Sequence, residues 1–200
     1  MSDALLFFRT FLANPFAIGS VIPSSKHLVA DLLDGIDFTT ARTVVEYGPG
    51  TGVFTDEILR RLAPDAKLLC IEIMDDFYNT LSARYDDPRL VLVHGSAADV
   101  ERLLAEHGLG QADAVVSGLP FTSLPEEVRH AILGGTARAL KPEGRFVMYQ
   151  YSQFVMGHIK KYFAAIQTRF TMLNVPPAFS FYCDAPIVSA PTPEASPSRS

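Results

Sequence analysis

The sequence has few cysteines and no long apolar run. Cys70 and Cys183 are its only two cysteines. They lack the spacing of a metal site and are too few for a disulfide framework, so we expect no metal. Cys70 lies inside an apolar run, which predicts a buried, reduced thiol.

Targeting and membrane-spanning patterns are also missing. The apolar stretch at the N-terminus has no basic lead and is interrupted by Arg9, unlike a secretory signal. Residues 10–25 are uncharged, but Pro15, Gly19 and Pro23 break them up. No segment approaches the roughly 20 apolar residues that cross a bilayer, so the sequence predicts no transmembrane helix.

The chain has fewer basic than acidic residues. The chain has 17 Lys and Arg against 22 Asp and Glu, a formal net charge of −5. Nucleic-acid binders usually have the reverse balance, because neutralising phosphates supplies most of their affinity, and we therefore expect no nucleic-acid partner. With 200 residues, 48% of them hydrophobic, the chain is long enough for one domain with a single core.

From residue 42 onward, short apolar runs alternate with segments of helical periodicity. The runs cover residues 43–47, 67–73, 90–94, 112–117 and 145–151, and the clearest helical segments are 54–62, 75–85 and 99–107. Strands that are apolar on both faces are typical of a parallel sheet covered by helices on both sides. The sequence therefore predicts an α/β fold.

The last third of the chain follows a different pattern. Ser123-Leu-Pro-Glu126 reads as a capping box that opens a helix to about Leu140. A basic amphipathic helix is predicted at 154–167, then two β-like runs, 169–175 and 178–184, as a terminal antiparallel hairpin. A parallel sheet closed by such a hairpin is typical of the Rossmann-like class I methyltransferases. We predict one domain over 1–184 and a disordered tail over 185–200.

A glycine-rich turn follows the first predicted strand: Glu46-Tyr-Gly48-Pro-Gly50-Thr-Gly52. A dinucleotide site would require its last glycine at position 53, which is Val53. An acid at the strand end would repel a pyrophosphate but attract the ammonium of S-adenosylmethionine. Glu72, at the end of the second strand, can accept hydrogen bonds from a ribose diol. Together these features favour a binding site for S-adenosylmethionine. The alternative is an ordinary glycine-rich turn between a strand and a helix, in which Glu46 is merely solvated.

The loop after the third strand is predicted to border the adenine ring. Either Ser96 or Asp99 can accept from the adenine amino group, and Asp99 alternatively stabilises the first turn of a helix. We expect His94 to pack at the strand end. The predicted cofactor set is completed by Tyr47, Ile73, Ala97 and Ser117.

The fourth strand ends in Ser-Gly-Leu-Pro-Phe, residues 117–121. This resembles the Asn-Leu-Pro-Tyr type motif of methyltransferases that act on exocyclic amines, with Gly118 in place of the asparagine. The backbone carbonyls of Gly118 or Leu119, with Phe121 as an apolar wall, can instead hold an aliphatic amine. Tyr149 and Tyr151 are predicted either to relay the amine proton, to form an aromatic box with Tyr47 and Phe121, or to pack in the core.

The N-terminal residues suggest a lipid interface. In a helix over 1–14, the apolar face would carry Leu5, Phe7, Phe8, Phe11 and Leu12, which suits either membrane docking or core packing. Residues 15–41 are predicted to form a substrate-side cap. Within it, Ser24 and Ser25 at a helix start suit phosphate binding or ordinary capping, and Phe16 and Ser20 complete the predicted substrate residues.

Three segments together carry a family resemblance: NPFAIGSVIPSS, VEYGPGTGVFT and SGLPF. They resemble the bacterial phospholipid N-methyltransferases, which convert phosphatidylethanolamine stepwise to phosphatidylcholine. The resemblance implies that Glu46, Gly48, Gly50 and Glu72 bind the cofactor. It also implies docking on membrane phospholipids at the inner face of the cytoplasmic membrane through the first helix. Alternative readings are methylation of ornithine lipid, methylation of an adenine in ribosomal RNA, or a catalytically silent membrane adaptor.

Overall fold

The computed structural model describes residues 26–172 and 177–188. The strands are β1 (Thr43–Tyr47), β2 (Lys67–Glu72), β3 (Leu90–His94), β4 (Ala112–Ser117), β5 (Leu140–Gln150), β6 (Phe163–Thr171) and β7 (Ala178–Pro186). The helices are α1 (Lys26–Leu33), α2 (Val53–Arg61), α3 (Asp75–Arg84), α4 (Val100–Glu106), α5 (Glu126–Ala139) and α6 (Met156–Ile159). Short 3₁₀ turns occupy Ala97–Asp99, Phe121–Ser123 and Gln153–Val155.

All seven strands form one sheet in the order β3-β2-β1-β4-β5-β7-β6. The pairs from β3 to β5 are parallel, whereas β7 is antiparallel to both of its neighbours, β5 and β6. The predicted α/β class, with a mostly parallel sheet and a terminal antiparallel hairpin, is confirmed. β1, β3 and β4 have the predicted bounds, and β2 ends one residue earlier than predicted.

The sheet separates two layers of core. Along β1, Val45 and Tyr47 pack in the layer that contains α4 and α5, and Val44 packs in the layer that contains α1 and α2. Successive strand residues point to opposite faces, so a strand covered on both sides is apolar at nearly every position. Cys70 and Cys183 are buried free thiols, as predicted for Cys70.

The predicted basic helix at 154–167 is wrong. The chain instead forms the 3₁₀ turn Gln153–Val155 and the single-turn helix α6, and β6 begins at Phe163. β6 is an edge strand that pairs with β7 from Phe163 to Thr171. The hydrogen bonds of that ladder outweigh the weak helical periodicity of the segment, in which most side chains are exposed.

The predicted capping box at 123–126 is also wrong. The N-cap of α5 is Pro125, which makes no side-chain cap bond, and Ser123 ends the preceding 3₁₀ turn. The guanidinium of Arg129 donates instead to the carbonyls of Phe121 and Leu124, at 2.7 Å each. A side chain from inside the helix therefore fixes the entry to α5.

The described residues cover the predicted terminal segments only in part. α1 packs against the sheet, and Leu28, Leu32 and Leu33 are fully buried. β7 extends to Pro186, two residues past the predicted end of the domain. The predicted membrane residues Phe7, Phe8, Phe11 and Leu12, the predicted substrate residues Phe16, Ser20, Ser24 and Ser25, and positions 189–200 lie outside the described residues. Within the described part of the chain, no helix has the length and apolar character needed to span a bilayer.

Candidate active site

The principal cavity lies where the sheet topology reverses. β1 and β4 are neighbours, but the chain leaves β1 for α2 on one face and β4 for α5 on the other. Such a switch point leaves a crevice at the carboxyl ends of the strands, where α/β proteins bind ligands. A cavity of about 530 Å³ occupies this crevice, and six predicted site residues line it: Gly48, Glu72, Ile73, Ser96, Ala97 and Leu119.

The glycine turn presents bare backbone to this cavity. Gly48 has φ 63°, in the left-handed region that side chains disfavour. A Cβ there would lie 2.8 Å from Cδ2 of Leu119, on the turn after β4. The amide of Gly48 donates to the carbonyl of Ile71 at 3.0 Å, which fixes the turn to β2. A side chain at Gly48 would therefore strain the turn and intrude on Leu119.

Glu72 ties the end of β2 to the glycine turn. Its side chain is buried and lines the cavity. Oε2 accepts from the amide of Gly50 at 3.1 Å, and Oε1 accepts from the amide of Met74 at 2.9 Å. Burial raises the pKa of Glu72 above its usual value, and the backbone donors partly oppose this rise. A carboxylate held in this way is placed to accept from a ligand hydroxyl group.

Glu46 does not line the cavity, because it alternates with Val45 and Tyr47 along β1 and faces α2 instead. Its Oε2 accepts from Oγ1 of Thr55 at 2.7 Å and from Sγ of Cys70 at 3.1 Å. Burial raises its pKa to about 7. The expected direct contact between this carboxylate and a ligand ammonium is therefore corrected: Glu46 links β1 to the first turn of α2 beneath the glycine turn.

Three further predicted residues lie in the core rather than at the cavity. Tyr47 is fully buried, and its hydroxyl is 3.1 Å from Oγ1 of Thr136. Phe121 is fully buried and packs edge-on against Phe146. Oγ of Ser117 accepts from the amide of Leu119 at 3.1 Å. The aromatic box of Tyr47 and Phe121 is therefore not formed, because both rings are enclosed by core side chains.

The loop after β3 forms the opposite wall of the cavity. Oγ of Ser96 accepts from the amide of Ala98 at 3.2 Å and caps the 3₁₀ turn. Asp99 is exposed and pairs with Arg102 at 3.2 Å, outside the cavity lining. His94 lines the cavity, and its Nε2 is 3.2 Å from the carbonyl of Ile73. The structure thus brings Ser96, not Asp99, to the cavity, together with His94, which we expected only to pack.

The turn after β4 borders the glycine turn. The amide of Gly118 donates to the carbonyl of Tyr47 at 3.2 Å, and a Cβ on Gly118 would lie 3.5 Å from the carbonyl oxygen of Gly48. The Leu119 carbonyl accepts from Nε2 of the buried Gln150 at 2.8 Å. Sequence reasoning missed Gln150, whose only signal is its place at the end of a strand next to Tyr149.

Two tyrosines lie beside this turn. Tyr149 stacks on Phe54 with 5.9 Å between ring centroids, and Tyr149 and Tyr151 meet in a T-shaped arrangement with 6.0 Å between centroids. A Cβ on Gly118 would lie 4.0 Å from the Tyr149 hydroxyl. Both rings are half-buried. The structure therefore places Tyr149 next to Gly118 and Tyr151 next to Tyr149, and their proton relay remains a prediction.

A second set of residues that sequence reasoning missed holds the glycine turn from outside. Arg84 donates to the carbonyl of Thr51 at 2.8 Å. The Tyr85 hydroxyl is 3.2 Å from the carbonyl oxygen of Gly52 and 2.7 Å from Oδ1 of Asp56. Arg84 also pairs with Asp56. We call Arg84, Tyr85 and Asp56 the turn clamp, since together they fix the outer side of the turn.

Solved structures share this fold. A 1,6-didemethyltoxoflavin-N1-methyltransferase from Burkholderia thailandensis, solved with S-adenosylhomocysteine, superposes with a TM-score of 0.64 at 12% identity, covering 92% of each chain. A methyltransferase dependent on S-adenosylmethionine from Aquifex aeolicus gives a TM-score of 0.57 at 13% identity, covering 92% of this chain and 98% of that one. The fold is that of the class I methyltransferases.

Sequence comparison gives the family. Residues 44–144 match the methyltransferase domain family. The ornithine lipid N-methyltransferase of Singulisphaera acidiphila is 33% identical over 189 residues, covering 92% of this chain and 96% of the relative. The ribosomal RNA small subunit methyltransferase A of Dehalococcoides mccartyi is 30% identical over 131 residues, covering 63% of this chain but only 41% of the relative. The chain belongs to the class I S-adenosylmethionine-dependent methyltransferases.

The residues present fit the predicted cofactor, S-adenosylmethionine. Gly48 and Gly50 offer bare backbone, and no described atom outside the turn lies within 4 Å of a Cβ built on Gly50. Glu72 would offer its carboxylate to the ribose, and Ser96 and Ala97, which line the same cavity, would border the adenine. When bound, the cofactor supplies a methyl group activated by a sulfonium.

Proposed function

We propose that this enzyme N-methylates the primary amine of an amino-lipid, with ornithine lipid as the first candidate. The observation that carries the proposal is the similarity to an ornithine lipid N-methyltransferase over 92% of this chain and 96% of that protein. Similarity of this extent includes most of the chain outside residues 44–144, whereas a shared fold alone would not indicate the acceptor.

The acceptor turn supports an aliphatic amine over a nucleobase. A planar amine in the Asn-Leu-Pro-Tyr arrangement is held by a side-chain oxygen and a backbone carbonyl. Here Gly118 has no side chain, so only backbone acceptors remain; the carbonyl of Leu119 accepts from Gln150 and keeps a second lone pair. The pair of acceptors that would orient a base is therefore incomplete. An sp³ amine needs only a free lone pair in line with the methyl group.

Positioning is the main contribution expected from the protein. Holding the two reactants in line can supply roughly 7–11 kcal/mol in favourable cases. The turn clamp and Glu72 fix the glycine turn, and Gln150 fixes the Leu119 carbonyl on the acceptor side. The amine must lose a proton before it attacks, and we propose that Tyr149, beside Gly118, and Tyr151, beside Tyr149, relay it.

Phosphatidylethanolamine is the second candidate, because the segments at 14–25, 45–55 and 117–121 resemble the phospholipid N-methyltransferases. For either lipid, we propose that the chain acts at the inner face of the cytoplasmic membrane and that a helix over 1–14 docks there. Replacing Phe7, Phe8 and Phe11 with serine should then reduce binding to anionic vesicles.

The direct test uses the purified full chain and methyl-labelled S-adenosylmethionine. Vesicles containing ornithine lipid, vesicles containing phosphatidylethanolamine, and ribosomal RNA are offered separately, and the products are identified by mass spectrometry. The proposal expects added methyl groups on the amine of ornithine lipid. Label in RNA alone, or cofactor binding without methylation of any lipid, would contradict it; the second result would favour a silent adaptor.

A further inference from the structure

Large apolar side chains are exposed at one edge of the sheet. Among the described residues, four large hydrophobic side chains are strongly exposed: Phe154 at 87%, Met172 at 75%, Val188 at 63% and Phe170 at 54%. Exposing such side chains has a cost in water, and a group of them at one place usually marks an interaction surface. Their positions in the fold therefore matter.

Three of the four lie at the carboxyl edge, where the cavity is. Phe170 pairs with Phe179, which in turn pairs with Gln150, the last residue of β5. Met172 lies two residues beyond Phe170, past the end of β6. Phe154 lies in the 3₁₀ turn Gln153–Val155, which contacts the turn Phe121–Ser123 after β4. We call Phe154, Phe170 and Met172 the apolar rim.

The fourth side chain lies at the opposite edge. Val188 follows β7, whose last residue, Pro186, pairs with Phe163 at the start of β6. The amide of Ile187 donates to the carbonyl of Tyr162 at 2.8 Å, just before β6 begins. Val188 is therefore exposed to a similar degree but far from the acceptor turn, which makes it an internal control.

The charge around the apolar rim is unlike that of the rest of the chain. Residues 144–183 contain no Asp or Glu, although the whole chain has 22 acidic residues and a net charge of −5. Of the exposed basic residues in this segment, Arg169 directly precedes Phe170 at the rim, whereas Lys160 and Lys161 precede the start of β6 at the opposite edge. Apolar side chains beside the cationic Arg169, in a segment without acidic residues, complement an anionic lipid surface.

We propose that the apolar rim inserts into the lipid bilayer and turns the acceptor side of the cavity toward the membrane. This inference rests on the proposed function, because an amino-lipid headgroup reaches Gly118 only if that edge faces the bilayer. Phe154 and Phe170 would enter the interfacial region, and Arg169 would pair with lipid phosphates. This contact is additional to the predicted N-terminal helix.

The test compares the full chain with the triple variant Phe154→Ser, Phe170→Ser, Met172→Ser and with the control Val188→Ser. Co-sedimentation is measured with vesicles of phosphatidylcholine and phosphatidylglycerol. The triple variant should lose about tenfold or more of its vesicle binding, because three apolar side chains no longer enter lipid. Val188→Ser should bind as the wild type does. Cofactor affinity by calorimetry should be equal in all three proteins.

If the apolar rim contacts something other than lipid, the same experiment gives different results. Unchanged vesicle binding in the triple variant would overturn the proposal. If the triple variant kept its vesicle binding but lost an oligomer on size-exclusion chromatography, the rim would be an interface between copies, which also overturns it. Vesicle binding requires no turnover, so this test is independent of the proposed reaction. If vesicle binding depended on the apolar rim but no lipid were methylated, the proposed function would be contradicted while the membrane contact would be supported.

Discussion

Replacement of the buried Glu46 by glutamine should change how stability depends on pH. Glu46 is 2% exposed, and its carboxylate accepts hydrogen bonds from Thr55 and Cys70. Burial disfavours the charged form and raises the pKa from its ordinary 4.5 to about 7. Glutamine retains an oxygen that both donors can reach but has no charge to bury.

The magnitude follows from the two pKa values. Below pH 4.5 the group is protonated in both the folded and the unfolded chain and contributes no pH dependence. Between the two values the unfolded chain releases its proton first, so the folded state loses stability as the pH rises. Above about pH 7 the folded state carries the full cost. The difference of 2.5 between the pKa values corresponds to about 3 kcal/mol.

Urea unfolding near pH 5 and near pH 8 measures this effect in the absence of cofactor. From the lower to the higher pH, the wild type should lose about 2 to 3 kcal/mol more stability than Glu46→Gln. The control Glu143→Gln removes an exposed carboxylate and should follow the wild type. Parallel pH profiles for Glu46→Gln and the wild type would refute the reasoning that this carboxyl titrates in a buried position.

Three further substitutions test the glycine turn. Gly48→Ala should destabilise the protein by about 1–2 kcal/mol or more, because φ is positive and the new Cβ meets Leu119; an unchanged urea midpoint would contradict this. Glu72→Gln should weaken the binding of S-adenosylhomocysteine about tenfold or more, because one carboxylate acceptor is lost; equal affinity by calorimetry would remove Glu72 from the site. Tyr85→Phe removes the hydroxyl that donates to Asp56 or to the Gly52 carbonyl and should raise KM for S-adenosylmethionine while KM for the lipid stays constant; an increase in the lipid KM alone would contradict the clamp.

β1, β2 and β4 are predictable because burial on both faces makes each of them an apolar run in the sequence. Helices cover both faces of β1, so all five of its residues are buried and the run is apolar apart from Glu46. β6 is different: it lies at the sheet edge, and only Phe163 and Thr171 are buried. Its stability comes from pairing with β7, a partner seven or more residues away in sequence. The two β-like runs predict the hairpin, but no local pattern shows that β6 begins as early as Phe163.

The sequence predicts the parts of the candidate site that depend on where strands and turns lie. It does not predict which face of the sheet a given side chain points to. The glycine turn and Glu72 at the neighbouring strand end follow from the sequence, because parallel strands end at one edge. Glu46 faces α2 because alternate residues of β1 point to opposite helix layers. The sequence does not show which of the two layers receives Glu46. Arg84 and Gln150 reach the site from 33 and 31 residues away in sequence, so their roles emerge only in the folded chain.

The central claim is that the crevice between the glycine turn and the β2 end binds S-adenosylmethionine and presents it to the turn after β4. A crystal structure with S-adenosylhomocysteine measures this directly. We expect the ribose hydroxyl groups to donate to Glu72, the adenine to lie by Ser96 and Ala97, and the sulfur to face Gly118. A ligand bound elsewhere, or one whose sulfur points away from Gly118, would contradict it.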